Sequence, residues 1–449
     1  MISNLAAKYN APVPRYTSYP TAPHFKAFDD DSLYAYWLSD LDPSKSISIY
    51  LHVPFCKKMC WYCGCHTKVT KQYDPVGDYA KTLRAEIRNV AAALPARFKI
   101  SHVHWGGGTP SILSAEDFKS VMAVIAENFD YTADAERAIE IDPRVVDATK
   151  VRALAEAGIN RASLGVQDFN PDIQKAINRV QSFEMTAGVV NLLRQNGIEK
   201  LNFDLMYGLP LQTTEDVART IELSHQLNPD RIALFGYAHV PWMKTHMKMI
   251  KDDELPGTEE RILQATCAAD HLTELGYQQI GLDHFASPDD EMSVALDNQQ
   301  LRRNFQGYTT DAADTMIGIG ASSIGKLPQG YVQNSVSTGE YKKRILTNKL
   351  AAAKGITVSA DDKIRCEVIE RLMCDLSVDL DEVTEQFGQP VTVFDQEIEL
   401  LKDFQKDGLL TLTGRRLTVT LEGRFLVRSI CAVFDTYLGS GAGRHSKAV

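Results

Sequence analysis

Residues 47–68 read ISIYLHVPFCKKMCWYCGCHTK. The first seven form an apolar run of strand length, and Pro54 ends it, so the cysteines fall on a loop at the C-terminal end of a strand. In parallel α/β architectures that edge is where active sites are built. Cys56, Cys60 and Cys63 stand as CxxxCxxC, three thiolates within reach of one small cluster, and Cys65 follows. Four thiolates could hold zinc, but structural zinc sites pair two separated knuckles, and Cys63 and Cys65 are too close to ligate together without strain. Three thiolates on a cubane leave one iron open to a substrate or cosubstrate. The spacing therefore points to an iron–sulfur cluster used for chemistry.

Outward from this loop, short apolar runs alternate with helical patterns. Strands are expected at Ile47–Val53, Ser101–Trp105, Ala138–Ile141, Arg161–Gly165, Leu201–Met206 and Arg231–Gly236. Helices are expected at Tyr79–Leu94, Ala115–Phe129, Val145–Ala157, Phe183–Asn196, Glu215–Leu227 and Glu259–Leu275. Ser114 with Asp117, and Thr213 with Asp216, read as capping boxes, while Gly158, Gly197 and Gly276 fall where helices should stop. Strands apolar on both faces imply a parallel α/β sheet, either doubly wound or a complete or partial barrel. From about residue 356 two helical stretches precede GLLTLTGRRLTVTLEGRFLVRSI, which reads as strand, Gly turn, strand and helix in a small winged-helix-like module. Sixteen Asp and Glu against eleven Lys and Arg from residue 356 on carry the wrong sign for DNA, so a packing or lid role is favoured.

With 449 residues the chain has room for a large core and more than one domain. A formal net charge of −10 gives no sign of a nucleic-acid footprint or of affinity for an anionic membrane. No apolar run is long enough to span a bilayer and the N-terminus lacks signal-peptide features, so a reducing, cytoplasmic setting is expected. Cys267, Cys366, Cys374 and Cys431 are scattered through helical patterns and read as buried, inert thiols.

Further groups cluster at strand ends. HVHWGGGTP puts Gly106, Gly107 and Gly108 where missing side chains would let backbone approach a ligand. IEIDP, SLGVQDF and NFDLMYGLP place Glu140, Gln167 and Asp204 at three more ends. Singly each is an ordinary loop hydrogen bonder. Together on one edge they mark a site.

The cysteine spacing, with Tyr62 immediately before Cys63, resembles the radical S-adenosylmethionine superfamily. RYTSYPTA, IYLHVPFCKKMCWYCGC, HWGGGTP, SLGVQDFN, NFDLMYGLP, YAHVP, DHFASPDDE and NFQGYTT, in order from Arg15 to Thr310, are together similar to the oxygen-independent coproporphyrinogen III oxidases. The resemblance extends into the C-terminal module. It implies a partial (β/α)6 barrel, a [4Fe–4S] cluster on Cys56, Cys60 and Cys63, and two molecules of S-adenosylmethionine. Tyr50, Gly107, Glu140 and Ile324 match contacts of the first. Tyr62, Gly108, Thr109, Gln167, Arg179, Asp204 and Ala238 match those around the second, and Cys65 matches a cysteine that is not a ligand. The implied reaction is oxidative decarboxylation of two propionates of coproporphyrinogen III to the vinyl groups of protoporphyrinogen IX. The implied partners are that substrate and an electron donor such as a flavodoxin or ferredoxin, with the chain a monomer.

Three parts are expected: an irregular N-terminal arm (1–45), the barrel (46–355) and a small α+β C-terminal domain (356–449). The arm should fold over the barrel's open top and present Arg15, Tyr16 and Tyr19. Arg15, Arg302 and Arg303 are candidates for the substrate's propionates by charge and block position. The alternative is a radical S-adenosylmethionine haem chaperone; such chaperones typically lack a cysteine at the Cys65 position and the arm, and both are present here. An anaerobic haem-degrading methyltransferase is likewise disfavoured by the arm.

Overall fold

The computed structural model describes Leu5, Lys8, Tyr9 and residues 12–439. Six strands run through the barrel region: β1 (Ile47–Val53), β2 (Lys99–Gly107), β3 (Asp130–Ile141), β4 (Arg161–Gln167), β5 (Lys200–Tyr207) and β6 (Arg231–Gly236). Each pairs in parallel with the next, with no reversal of order. A doubly wound sheet reverses at a switch point, so the choice left by the sequence pattern falls to the partial barrel. Beside β1 lies Met316–Ile319, also parallel, followed by three antiparallel strands and the short Lys26–Ala27. Beside β6 lies the antiparallel pair His284–Ala286 and Gln278–Ile280. The two edges of this sheet do not pair with each other among the described residues, and the barrel is open.

The connecting helices are α1 (Asp74–Ala93), α2 (Ala115–Asn128), α3 (Ala148–Glu156), α4 (Phe183–Gln195), α5 (Thr214–Gln226) and α6 (Thr258–Glu274). Side chains alternate across a strand, and here the two faces differ in kind. On β5, Leu201, Phe203 and Leu205 are 0%, 0% and 1% exposed and join the helix-side core, while Asn202, Asp204 and Met206 take the opposite face. Burying each such apolar side chain stabilises the fold by about 1.5–3 kcal/mol, and a one-residue slip would reverse every one of them. The expectation of strands apolar on both faces holds for β6 (Ile232 and Leu234 on one face, Ala233 and Phe235 on the other) but is corrected for β5, where one face is packed and the other is largely polar.

Local signals explain most boundaries. Thr213 and Asp216 form the complete capping box, whereas at Ser114 the backbone N–H donates to Tyr73 instead, leaving half a box. Gly158, Gly197 and Gly276 take φ of 84°, 83° and 92°, conformations that suit glycine at a helix end. Cys374 and Cys431 are buried, Cys267 and Cys366 half-buried, and burial raises the pKa of all four thiols.

The sheet continues through Ala352–Thr357, past the expected boundary at 355. Beyond it, helices Ala360–Asp375, Leu380–Gln386 and Asp395–Lys406 pack with a three-stranded sheet whose tight turn uses Gly414 at φ 62°. The arm departs from expectation. It contains a helix, Ser32–Ser39, and its Tyr16 and Tyr19 are 4% and 1% exposed within the C-terminal domain's core, in one cluster with Ile369 and Leu372. Tyr16 donates to Asp435, and the Tyr19 hydroxyl bonds Thr436. These rings line neither cavity at the strand ends, and of the three groups expected there Arg15 alone does.

Removal of the arm therefore exposes a core. Tyr19→Ala should destabilise the protein by about 3–5 kcal/mol, the usual cost of deleting a buried aromatic ring. Tyr19→Phe should cost about 1 kcal/mol through its lost hydrogen bond. Equilibrium urea unfolding checks both, and equal stability of all three proteins would show that the arm does not support the C-terminal core.

Candidate active site

Strand β1 delivers Cys56, Cys60 and Cys63 to one end of a cavity of about 560 Å³. The loop is pinned from several elements. Burial lowers the pKa of His52, and its neutral ring donates from Nε2 to the His66 carbonyl (3.1 Å) while Nδ1 accepts from Tyr50 (3.0 Å). Asn178 donates to the Met59 carbonyl at 2.7 Å, His246 to Cys63 at 2.8 Å and Lys244 to Cys65 at 3.0 Å.

The sulfurs sit among donors. Thr67 donates to Cys56 at 3.2 Å, and Thr109 lies at the same distance. Cys60 accepts from Arg144 at 3.4 Å and from Arg179 at 3.6 Å. Burial raises the pKa of the Cys56 thiol, whereas a hydrogen bond with Cys65 lowers that of Cys63. Cys65 itself is exposed. Hydrogen bonds and cations beside thiolate sulfurs suit an iron–sulfur cluster, whose potential they tune. The Nε of Arg179 is buried without a hydrogen-bond partner among the described residues, a donor left for a ligand.

Tyr62, Gly107, Gly108, Thr109, Glu140, Gln167, Arg179, Asp204 and Ala238 all line this cavity. Glu140 accepts from the Gly107 N–H at 3.2 Å and lies 3.4 Å from His104. Asp204 accepts from Ser163 (3.1 Å) and Asn202 (2.9 Å); burial, then the nearby Glu140 charge, raise its pKa to about 6. Gln167 is held at φ 70°, beside a register shift between β4 and β5 that re-aims the strand end. Tyr50 and Ile324 are not among the lining residues. Tyr50 stands behind Gly106, and Ile324 pairs with Gln333 in an antiparallel strand.

The glycine run also makes room within the protein itself. A Cβ on Gly106 would lie 2.7 Å from Glu140 and 2.9 Å from Tyr50, and one on Gly107 would lie 2.7 Å from His52. One on Gly108 would strike Thr67 and the Phe55 backbone. The missing side chains make room for the protein's own site residues. Arg302 pairs with Glu370 at 3.6 Å on the C-terminal domain and is not among the residues lining either cavity. Sequence reasoning missed Arg144, although it directly follows the IEIDP block, and it missed Thr67 and His52, whose partners come from other segments.

A second cavity of about 800 Å³ adjoins the first and shares Arg15, Phe235, Gly236, Tyr237 and Ala238 with it.

Comparison with known proteins accords with this geometry. Residues 50–224 match the Radical SAM superfamily and residues 358–426 the HemN C-terminal domain. The oxygen-independent coproporphyrinogen III oxidase of Bradyrhizobium diazoefficiens is 50% identical over 100% of both chains. Coproporphyrinogen III oxidase, anaerobic 1, of Cereibacter sphaeroides is 45% identical over 96% of this chain and 95% of its own. The solved coproporphyrinogen III oxidase (HemN) of Escherichia coli, described as a radical SAM enzyme, superposes with a TM-score of 0.90 at 38% identity, over 94% of this chain and 97% of that one. The chain belongs to the oxygen-independent coproporphyrinogen III oxidase family.

Proposed function

We propose that this protein decarboxylates two propionates of coproporphyrinogen III to vinyl groups, with a [4Fe–4S] cluster on Cys56, Cys60 and Cys63 and S-adenosylmethionine in the cavity beside it. One observation carries the reading: nine of the eleven residues matched to S-adenosylmethionine contacts line a single cavity with the three cysteines. When bound, the reduced cluster and S-adenosylmethionine supply a 5′-deoxyadenosyl radical able to break an unactivated C–H bond. Each propionate would then give one hydrogen atom to that radical, release carbon dioxide and pass one electron to a one-electron acceptor, becoming a vinyl group.

The chain's own residues bind, orient and exclude water. Thr67, Arg144 and Arg179 hold the sulfurs by donating to them. Glu140 and Asp204 accept from ligand hydroxyl or amino groups. Tyr62 and Met206 pack on the buried cluster of Tyr237, Met247 and Leu209, an apolar wall that keeps water from a reactive radical. Tyr50 and Ile324 act from behind this lining, as supports for Glu140 and the strand edge. Cys65 is not a ligand.

The wider reading is of one piece with this. An acidic carrier such as a flavodoxin or ferredoxin delivers electrons, and the exposed Lys57 and Lys58 beside Cys56 give it a cationic approach. Both cavities are built from one chain, so a monomer suffices. No helix among the described residues is long and apolar enough to cross a membrane, and a cytoplasmic location suits free thiols. The arm, barrel and C-terminal domain form one working unit, with the last closing the barrel mouth. Haem delivery is not favoured, because the relatives matched over the whole length carry the oxidase name.

The direct test is anaerobic incubation of cluster-loaded protein with coproporphyrinogen III, S-adenosylmethionine and a reductant. Vinyl product is expected; tight haem binding without it would favour the chaperone. Cys56→Ser, Cys60→Ser and Cys63→Ser should each lose the cluster absorbance and all activity, while Cys65→Ser keeps its iron. Iron analysis showing Cys65→Ser equally cluster-free would overturn the ligand set.

Glu140→Gln and Asp204→Asn should each weaken S-adenosylmethionine binding about ten- to hundredfold, the worth of one charge-assisted hydrogen bond. Asp204 is neutral below about pH 6, so the wild type's affinity should fall as pH drops through that value. Asp204→Asn should lack that step. Anaerobic equilibrium filtration at several pH values measures this, and unchanged affinity in both variants would leave the two carboxylates without a binding role.

A further inference from the structure

The second cavity holds an unbalanced charge. Arg15, Arg261, Arg303 and Arg428 line it, and Asp283 is the one carboxylate among its lining residues. Arg261 donates to the Tyr237 carbonyl at 2.8 Å and lies over the Tyr207 ring. Arg303 stacks on Tyr308, and its Nε and Nη1 are buried without hydrogen-bond partners among the described residues. Burial, with help from the Arg15 charge, lowers the pKa of Arg428 to about 10, and that of Arg261 is lowered in the same way. Arg15, Arg261 and Arg303 around one carboxylate leave an excess of positive charge that an anion would offset, and guanidinium forks are matched to carboxylates. The occupant therefore carries several carboxylates. Phe235, Leu282, Phe285 and Phe425 supply apolar walls, and the volume lies within the range of ligand sites.

Asp283 sharpens the identification. Burial opposes its ionisation, yet His284, Arg303 and Arg15 hold its pKa down at about 2. His284 fixes the carboxylate through Nδ1 at 2.8 Å and is itself wedged edge-on against Phe235 and Tyr308. A carboxylate facing a polyanion costs affinity unless it makes a contact of its own. The strong donors on a reduced tetrapyrrole tetracarboxylate are its pyrrole N–H groups.

We infer that this chamber seats the tetrapyrrole, Arg15, Arg261, Arg303 and Arg428 binding its carboxylates and Asp283 accepting from its pyrrole N–H groups. The inference rests on the oxidase reading above and adds the substrate site to it. The wall shared with the cysteine cavity, at Gly236, Tyr237 and Ala238, places one edge of the macrocycle toward the radical site.

The test is anaerobic equilibrium dialysis of coproporphyrinogen III against cluster-loaded protein, with S-adenosylmethionine withheld so that nothing turns over. Arg261→Met and Arg303→Met should each weaken binding about ten- to hundredfold. Arg15→Met, at an exposed position where folding is not at risk, should also weaken it severalfold. Coproporphyrin tetramethyl ester, its carboxylates blocked, should bind wild type and arginine variants alike. Asp283→Leu makes the chamber more positive, yet should weaken binding about tenfold. Tighter or unchanged binding would overturn the acceptor role, and unchanged affinity in all three arginine variants would overturn the chamber. If wild type forms vinyl product in the separate complete assay with S-adenosylmethionine while the variants bind normally here, the chamber fails and the oxidase reading stands. If wild type binds and the variants do not, but no vinyl product forms, the chamber stands and the oxidase reading fails.

Discussion

Leu201, Phe203 and Leu205 pack against the helix layer, and that packing sends Asn202 and Asp204 into the lumen. The same alternation buries Ile139 and Ile141 while turning Glu140 inward, and buries Leu164 and Val166 while turning Ser163 and Gly165 inward. Polar groups on an open barrel thus need no separate device to face one another. The apolar residues between them have somewhere better to go, and strict period two does the rest. Each functional carboxylate sits one residue from a side chain whose burial stabilises the fold, which is the rigidity a preorganised site requires.

The cysteine loop lacks that regular support and is held by long-range contacts. His52 ties the loop's return at His66 to β1, and His246 and Lys244 reach back to Cys63 and Cys65. Glycines at 106, 107 and 108 let Tyr50, His52 and Thr67 occupy the space beneath. Any side chain added there would push on the groups that aim the sulfurs.

How much of this was legible follows from the length scale of each signal. β1 and β6 matched expectation at both ends because turn residues such as Pro54 and Pro229 bracket them. β3 begins eight residues before Ala138, in the stretch DYTADAER, whose alternation of Tyr131, Ala133 and Ala135 with polar residues is too weakly apolar to stand out as a strand. The helix Pro171–Ala176 spans six residues, too few for a 3.6 period to show. Glu140 and Gln167 were legible because they sit at the ends of their strands, whereas Asp204 lies three residues inside the end of β5 and was legible as a charge in a largely apolar run. Arg261, Asp283 and Arg428 were not, since their meaning arises from contact among α6, a strand edge and the C-terminal domain. Tyr16 and Tyr19 were misread because a proline-rich segment has no periodicity, although its rings are fully packed.

The chamber's cations come from separate segments, Arg15 from the arm, Arg261 from α6, Arg303 from the strand Arg302–Asn304 and Arg428 from the C-terminal domain. Bringing them together is electrostatically unfavourable, and the protein's net charge of −10 cannot relieve it locally because charges beyond about 8 Å are screened at physiological ionic strength. The opposing force is visible next to it. Tyr16, adjacent to Arg15, and Val427, adjacent to Arg428, are buried in the same hydrophobic core. Apolar burial of their neighbours holds two like charges at the chamber against their repulsion. The net negative surface offers a polyanion no long-range attraction, so on the placement inferred above the pull on a tetracarboxylate is confined to the chamber itself, where ion pairs would replace cation–cation repulsion.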